Sequence, residues 1–246
     1  MNLKNNLLSL LFTVLTPVST DHLWDHLIVW NVGQGQWITH SLPKMCLHLD
    51  AGGERFPRRA QLTDICGNKT NFFFVSHFDW DHISFLPKAM SLLGRSCLFL
   101  MDQTPPPSKK RYIQSLRKCP KTPMAQWPIE LIHNPQWPTK NSNSESLVFV
   151  LSKRILISGD SPTQQEKIWG RHKALRHIEV LIVGPHGSYT STSSFLLRQM
   201  PALNQAIVSA RRFRYGHPHV KTLYRLRKKK VPVVTTETFG HIIIKL

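Results

Sequence analysis

The sequence feature that most constrains this chain is the six-residue motif His77-Phe78-Asp79-Trp80-Asp81-His82, which follows an apolar run at residues 72–75. Polar residues flank the run, which predicts a buried strand. The end of that strand therefore brings two imidazoles and two carboxylates into one tight turn. Imidazole binds zinc, manganese and iron, and carboxylate suits harder cations, so the turn predicts a site for one or two divalent ions. A plain polar loop is the alternative, although crowded carboxylates repel each other unless a cation or a proton compensates them.

The net charge restricts the partners of the chain. The 246 residues carry 32 Lys and Arg against 14 Asp and Glu, a formal charge of +18. An excess of this size attracts polyanions, so nucleic acid or an anionic membrane surface is the expected partner. A role in solubility alone is the alternative, because net charge does not identify a ligand.

The N-terminus and the cysteines bear on the compartment. An apolar stretch at residues 7–15 is too short to span a bilayer and fits the core of a secretory leader over residues 1–20, with a simple N-terminal helix as the alternative. A leader predicts a periplasmic or secreted protein; a cytoplasmic or membrane-associated location is the other possibility. The four cysteines suit either two disulfides or buried thiols, and they lack the CxxC spacing of a zinc ribbon.

Alternating patterns along the chain predict a layered α/β fold. We expect strand hairpins early and again near residues 147–157, a connecting loop over residues 54–70, and a basic amphipathic helix over residues 108–118. The last third alternates between helix and strand. These units together predict one domain over residues 25–246, an α/β sandwich of two sheets faced by helices.

Three further polar residues follow other apolar runs: Asp50, Asp160 and His186. Ligand sites in layered α/β folds form at the edge where strands end, so these residues and the His77–His82 motif are expected to converge on one cleft. Asp160 or His186, taken alone, is more typical of a structural residue.

Seven short motifs carry a resemblance to a known family. They are Asn31-Val-Gly-Gln-Gly-Gln36, Leu49-Asp-Ala-Gly-Gly53, Ser76 with the six-residue motif, Asn143-Ser144 with Ser146-Leu147-Val148, Ser158-Gly-Asp160, Pro185-His-Gly-Ser188 and Arg214-Tyr-Gly-His-Pro218. In this order the chain, from about residue 25 to its end, resembles the metallo-β-lactamase-fold domain of ComEC-type DNA-uptake competence proteins. The resemblance implies an αββα sandwich of two mixed sheets flanked by helices.

The same resemblance implies a centre of two divalent ions, manganese or zinc. His77 and Asp79 would bind one ion, Asp81 and His82 the other, and Asp160 would bridge them. His186 would complete a coordination sphere. The residues expected to support the ligands from behind are Asp50, Gln36 and Asn143, and those expected to take part in catalysis are Asp81 and His217.

The implied activity is metal-dependent cleavage of DNA phosphodiesters during DNA uptake at the cell envelope, because two metal ions suit an in-line displacement at phosphorus. A separate membrane channel protein would then be a partner. Basic residues near the cleft would hold the phosphate backbone with little regard to sequence. They are Arg211, Arg212, Arg214, Lys221, Arg225, Arg227 and Lys228.

Three positions depart from the family pattern. Asn31 and Gln36 stand where the family has aspartates, and Pro185 replaces the first histidine of a His-His pair. Two alternatives therefore stay open: a catalytically impaired DNA-binding module of the same fold, and a metallohydrolase whose substrate is not nucleic acid.

Overall fold

The computed structural model describes residues 25–120, 127–135 and 141–246. The expected leader at residues 1–20 lies outside these ranges. The described strands, in chain order, are β1 (His26–Val29), β2 (Ile38–Ser41), β3 (Met45–Leu49), β4 (Thr70–Phe74), β5 (Ser96–Phe99), β6 (Ile129–His133), β7 (Val148–Leu151), β8 (Ile155–Ile157), β9 (Val180–Ile182), β10 (Gln205–Val208), β11 (Val233–Thr235) and β12 (Ile242–Lys245).

Helices separate many of these strands. In chain order they are α1 (Arg59–Cys66), α2 (Trp80–Ile83), α3 (Leu86–Leu93), α4 (Pro107–Gln114), α5 (Thr163–Trp169), α6 (Ser194–Gln199), α7 (Arg212–Tyr215), α8 (Val220–Lys228) and α9 (Thr236–Phe239). Short 3₁₀ turns lie at Ser142–Glu145, Lys173–His177 and Pro185–Gly187. No helix in the described ranges combines the length and the apolar character needed to cross a membrane.

The strands form two mixed six-stranded sheets, with the orders β12-β1-β2-β3-β4-β5 and β11-β10-β9-β8-β7-β6. In the first sheet β3, β4 and β5 run parallel to one another, and the hairpin of β1 and β2 is antiparallel. In the second, β8 to β11 are parallel, and β7 pairs antiparallel with β6 and β8. Two mixed sheets flanked by helices confirm the predicted fold class.

Three apolar layers hold the sandwich together. The central layer joins the sheets through residues such as Leu47 and Phe74 from one and Phe149 and Ile182 from the other. A second layer packs the first sheet against α1, α3 and α4, and a third packs the second sheet against α5, α6 and α8. Burial of apolar surface contributes about 25 cal/mol per Å², so these layers are the main source of stability.

The prediction of a loop over residues 54–70 is wrong, because α1 lies there. Leu62, Ile65 and Cys66 form its buried face. That face is only three residues wide and lies between polar and basic residues, which hid the helical period. After the ligand turn begins, the chain forms two short helices, α2 and α3, which are separated at Ser84 and Phe85.

All four cysteines are paired. Cys46 of β3 is bonded to Cys66 at the end of α1, and Cys97 of β5 is bonded to Cys119 beyond α4. Both bridges therefore link the helical layer to the first sheet. The cysteines form disulfides, one of the two alternatives that the sequence left open.

Candidate metal centre

The polar residues that follow four strands converge at one edge of the sandwich. Asp50 follows β3 and the His77–His82 turn follows β4 in the first sheet, while Asp160 and His186 come after β8 and β9 in the second. Backbone hydrogen bonds tie the loops of the first sheet together, from the Gln36 amide to the Asp81 carbonyl and from the Ala51 amide to the His82 carbonyl. The predicted convergence of these strand ends is confirmed.

Two glycines permit this close approach. A Cβ on Gly52 would lie 2.5 Å from the backbone carbon of Asp81, and a Cβ on Gly159 would lie 2.7 Å from Cβ of Ser76. Neither neighbour could shift without moving a strand end. The glycines therefore set the distance between the ligand turn and the loops that bear Asp50 and Asp160.

The candidate ligands form two overlapping sets. His77, His82 and Asp160 make one, and Asp81, His82 and His186 make the other; in each set the ligand atoms lie within 4.8 Å of one another. Nε2 of His186 is 3.1 Å from Oδ2 of Asp81 and 3.7 Å from Oδ2 of Asp160. These donors are the types that divalent transition ions bind in proteins.

Asp79 lies beside the first set. Its Oδ2 is 3.4 Å from Nε2 of His77 and accepts a 2.9 Å hydrogen bond from Oγ of Ser142. The side chain expected to support the ligands in this region was Asn143. Its Oδ1 lies 3.5 Å from the Ser142 hydroxyl, but that hydroxyl gives its one hydrogen to Asp79, so this contact does not link the Asn143 side chain to the ligands.

Asp50 anchors the centre from behind. It is fully buried, and Oδ2 accepts hydrogen bonds of 2.8 Å from Nδ1 of His82, Oγ of Ser76 and Nε2 of Gln36. Oδ1 accepts the backbone amide of Ser76 at 2.7 Å. Gln36 thus supplies a donor where the family's aspartate would bring a second negative charge next to Asp50.

The same hydrogen bonds fix which nitrogen of each histidine faces the centre. Carboxylate and carbonyl oxygens only accept, so Nδ1 of His82 donates to Asp50, and Nδ1 of His186 donates to the Ser209 carbonyl at 2.9 Å. Ser76 gives its hydroxyl hydrogen to Asp50 and accepts from Nδ1 of His77 at 3.0 Å. Nε2 of all three rings is therefore the nitrogen that faces the interior of the centre, where a proton or a metal ion can bind it.

That interior fits a cation. Nε2 of His77 and of His82 are buried without a hydrogen-bond partner among the described residues, and carboxylates of Asp79 and Asp160 lie beside them. Lone pairs that face carboxylates repel each other unless a proton or a metal ion lies between them. The residues present therefore fit divalent metal binding.

The charges at the centre shift the ionisation of its members. Burial opposes ionisation of Asp160, but the nearby His186 and His82 outweigh it and hold its pKa well below the usual range. Burial would likewise lower the pKa of His82, yet Asp160 and Asp50 raise it well above its ordinary value. The same carboxylates that favour a proton on His82 would also attract a metal ion, which could replace that proton.

His217 lies near this centre. Burial lowers its pKa, and His186 and His219 lower it further, while Asp160 acts in the opposite direction. Its Nδ1 is buried and has no hydrogen-bond partner among the described residues. The charges of His186 and Asp160 therefore act on the His217 ring. His217 does not belong to either of the two ligand sets.

The basic residues divide into two groups. Arg212, Lys221, Arg227 and Lys228 are exposed. Arg211 and Arg214 form ion pairs with Glu54 at 3.2 and 2.9 Å, and Arg225 donates from Nη2 to the carbonyls of Tyr189 and Ser191 at 3.1 and 2.7 Å. The second group therefore has protein partners that compete with a phosphate.

Several supporting residues were not found from the sequence. Ser142, Glu54, Gln103 and Glu166 make contacts between distant segments; Gln103, for example, donates to the carbonyls of Val75 and Ser76. Glu166 is buried and accepts the amides of Thr192 and Ser193 in the segment after His186. Ser76 was seen as part of a motif, but its hydrogen bonds with Asp50 and His77 have no signature in the local sequence.

Comparison with solved structures places the fold. The metallo-beta-lactamase fold protein YhfI from Bacillus subtilis superposes with a TM-score of 0.55 over 89% of this chain and 99% of that one, at 12% identity. A metallohydrolase from the archaeon Ignicoccus hospitalis superposes with a TM-score of 0.56 over 90% of this chain and 99% of that one, at 8% identity. The chain therefore has the metallo-β-lactamase fold.

Comparison with curated sequences adds one relative. Recombination protein 2 of Haemophilus influenzae is 36% identical over 108 residues, which are 42% of this chain. The matched part is 13% of that protein's length. No protein-family model matches the chain. The chain is thus similar in sequence to a small part of a protein named for recombination.

Proposed function

From the metallo-β-lactamase fold and the convergent ligand sets, we propose that this chain is a metal-dependent phosphodiesterase that cleaves DNA. The observation that carries the proposal is the orientation of His77, His82 and His186: hydrogen bonds hold the Nδ1 side of each ring, and each Nε2 faces a carboxylate. Ions held there would lower the pKa of a bound water and stabilise negative charge on phosphate oxygens.

The residues of the chain have separate tasks in this proposal. Asp50 keeps the hydrogen of His82 on Nδ1, so that Nε2 can serve as a ligand, and Ser76 does the same for His77. Asp160 adjoins both ligand sets and would supply carboxylate oxygens to the ions held there. His217, with its lowered pKa and partnerless Nδ1, would accept or deliver a proton near the substrate.

DNA is proposed as the substrate on two grounds. The formal charge of +18 favours a polyanion, and the exposed cations of α7 and α8 belong to elements near His217. The similarity to a protein named for recombination supports a place in DNA processing. The expectation of a role in DNA uptake rests on the motif resemblance.

An oxidising compartment is part of the same proposal. Disulfides persist in the periplasm and outside cells and are rare in the cytosol, and all four cysteines of this chain are paired. A periplasmic or secreted location agrees with this pairing.

The test is cleavage of labelled single- and double-stranded DNA by the purified chain in manganese or zinc. Asp79→Ala and Asp160→Ala should each abolish cleavage, whereas Asp64→Ala removes an exposed carboxylate of α1 and should leave it at the wild-type level. Residual cleavage that is equal in all variants would overturn the proposal.

Metal analysis of the same preparations separates the alternatives. One or two ions per chain in the wild type, and fewer in Asp160→Ala, are expected. Absence of stoichiometric metal together with salt-sensitive DNA binding would instead support an impaired DNA-binding module. Bound metal with turnover of a lactone or β-lactam and no DNA cleavage would support a different hydrolase.

A further inference from the structure

Trp80 is the one residue of the ligand turn with a large exposed apolar surface. It lies between Asp79 and Asp81, and it is 50% exposed, whereas the neighbouring aromatic residue Phe78 is 3% exposed. Burying an indole stabilises a fold by a few kcal/mol, so an exposed one next to a candidate catalytic centre forgoes that gain. Its position indicates a role in contact with a ligand.

Two residues of α4 hold the Trp80 ring in place. Nζ of Lys109 lies 3.4 Å from the ring centroid, and the Tyr112 ring packs edge-on at 5.1 Å with an interplanar angle of 79°. The Tyr112 hydroxyl in turn donates to the carbonyl of Ile83 at 2.6 Å. The indole is thus a positioned surface rather than a freely rotating side chain.

The helix that holds the ring is also cationic. Lys109, Lys110 and Arg111 follow one another in α4, and Lys110 and Arg111 are exposed. Burial lowers the pKa of Lys109, and the Asp79 carboxylate acts against that change, which places the ammonium group near the ligand turn. This is the basic amphipathic helix expected from the sequence. It is not among the residues expected to contact DNA, which lie at positions 211–228.

We propose that Trp80 and Lys109 form a subsite for an unpaired nucleotide, in which the base stacks on the indole and Lys109 contacts a flanking phosphate. The identity of the ligand rests on the proposed function. Stacking of a base on an aromatic side chain strengthens binding and tolerates any sequence, because every base has a π-face. Bases inside a duplex are already stacked on both faces, so the subsite favours single strands and frayed ends.

A second ring and lysine follow the ligand His186 in a comparable way. Tyr189 is 55% exposed, Nζ of Lys221 lies 5.9 Å from its ring centroid, and the His219 ring packs at 5.3 Å. Each of two ligand loops is therefore accompanied by an exposed ring with a cation above it. This repetition agrees with a strand whose bases stack next to the centre while its phosphates meet lysines.

The test measures binding, in the presence of a chelator, of the full chain to a fluorescent single strand of about 12 nucleotides and to an abasic strand of equal length. The wild type should bind the strand that carries bases about tenfold or more tightly than it binds the abasic strand. Trp80→Leu should lower this ratio at least about fivefold with unchanged affinity for the abasic strand, and Trp80→Phe should restore most of it. Phe239→Leu, which removes an exposed ring of α9, should keep the wild-type ratio.

Two further measurements do not depend on the folding of Trp80 variants, because they use the wild-type chain and a Lys109 variant. A strand containing 2-aminopurine should lose emission when it saturates the wild-type chain, because stacking quenches this base. Lys109→Met should weaken both strands alike. An unchanged ratio in Trp80→Leu, an equal reduction in Phe239→Leu, or unquenched emission at saturation would overturn the subsite. Since the chelator removes metal chemistry, failure of DNA cleavage would count against the phosphodiesterase without affecting this result.

Discussion

Nδ1 of His82 lies 2.8 Å from Oδ2 of Asp50, and both side chains are fully buried. The same oxygen also accepts from Ser76 and Gln36. The buried Asp50 carboxylate therefore holds the hydrogen of the candidate ligand His82 on Nδ1. Asp50 itself does not belong to either ligand set.

Asp50→Asn should weaken metal binding more than it disturbs the fold. An amide at this position presents either a donor that opposes Nδ1–H of His82 or a neutral oxygen that holds it poorly, so the ring can place its hydrogen on Nε2. Loss of such a partner lowers metal affinity about 10- to 100-fold. Competition with a chromophoric chelator would measure it, and a wild-type affinity in the folded variant would contradict the assignment.

Gln36→Leu tests the same carboxylate through a weaker partner. It removes one donor from Asp50 and leaves the others, so the unfolding free energy of the metal-free chain should fall by about 1–3 kcal/mol. Urea unfolding provides the measurement. Gln114→Leu, an exposed change at the end of α4, is the control and should alter stability little. Equal effects of the two changes would show that the Gln36 hydrogen bond does not support the centre.

The exposed basic side chains and those already bonded to protein groups should differ in their effect on DNA binding. Removing Arg227 and Lys228 together should reduce the slope of log affinity against log salt by about 0.7–0.9 for each phosphate that these side chains neutralise. Arg225→Ala should instead lower thermal stability, because its guanidinium holds the carbonyls of Tyr189 and Ser191. Lys153→Ala, in the turn between β7 and β8, should change neither quantity. An unchanged salt slope without Arg227 and Lys228 would place the DNA surface elsewhere.

His48 should make the fold sensitive to acid. The ring is fully buried, hydrogen-bonded to Asn71 and stacked on Phe73, and burial lowers its pKa from 6.5 to about 4. The unfolded chain binds a proton at this residue below pH 6.5 while the folded chain resists it, so stability falls as the pH drops from about 6.5 to 4, by about 3 kcal/mol at most.

His48→Gln should flatten that part of the stability profile. Urea unfolding at several pH values would measure the slope. The exposed His177→Gln is the matched control and should retain the wild-type slope. A wild-type slope in His48→Gln would assign the acid sensitivity to other groups.

Reduction should destabilise the chain through both bridges. They join cysteines separated by 20 and 22 positions, and closing loops of this size stabilises a protein by about 3 kcal/mol each. Replacing Cys46 and Cys66 with serine should therefore lower the unfolding free energy by about that amount. Dithiothreitol should lower it further in this variant and should have no effect when all four cysteines are serine.

Local sequence was sufficient for the ligand turn and for the strand ends. The His77–His82 turn follows an apolar run directly, and Asp50, Asp160 and His186 each follow a run of their own, so strand geometry alone brings them to one edge. The contacts of Ser142 with Asp79 and of Glu54 with Arg211 join segments far apart in the chain. No periodic pattern marks such pairs, because their energy depends on the completed fold.

Helix α1 and the position of β12 escaped prediction for different reasons. The buried face of α1 is short and its neighbours are basic, so its local signal was weak. The sheet to which β12 belongs was not predicted, since an isolated apolar triplet fits either sheet. Only packing against β1 selects the first sheet.

The pairing of β12 with β1 means that the last described strand completes the sheet that begins with the first. During synthesis one edge of β1 therefore stays unpaired until residues 242–245 have left the ribosome. Contacts so distant in sequence slow folding and expose strand edges to other chains in the meantime. The sheet that carries the ligand turn thus depends on a contact between its first and last strands, which are among the most distant in the described sequence.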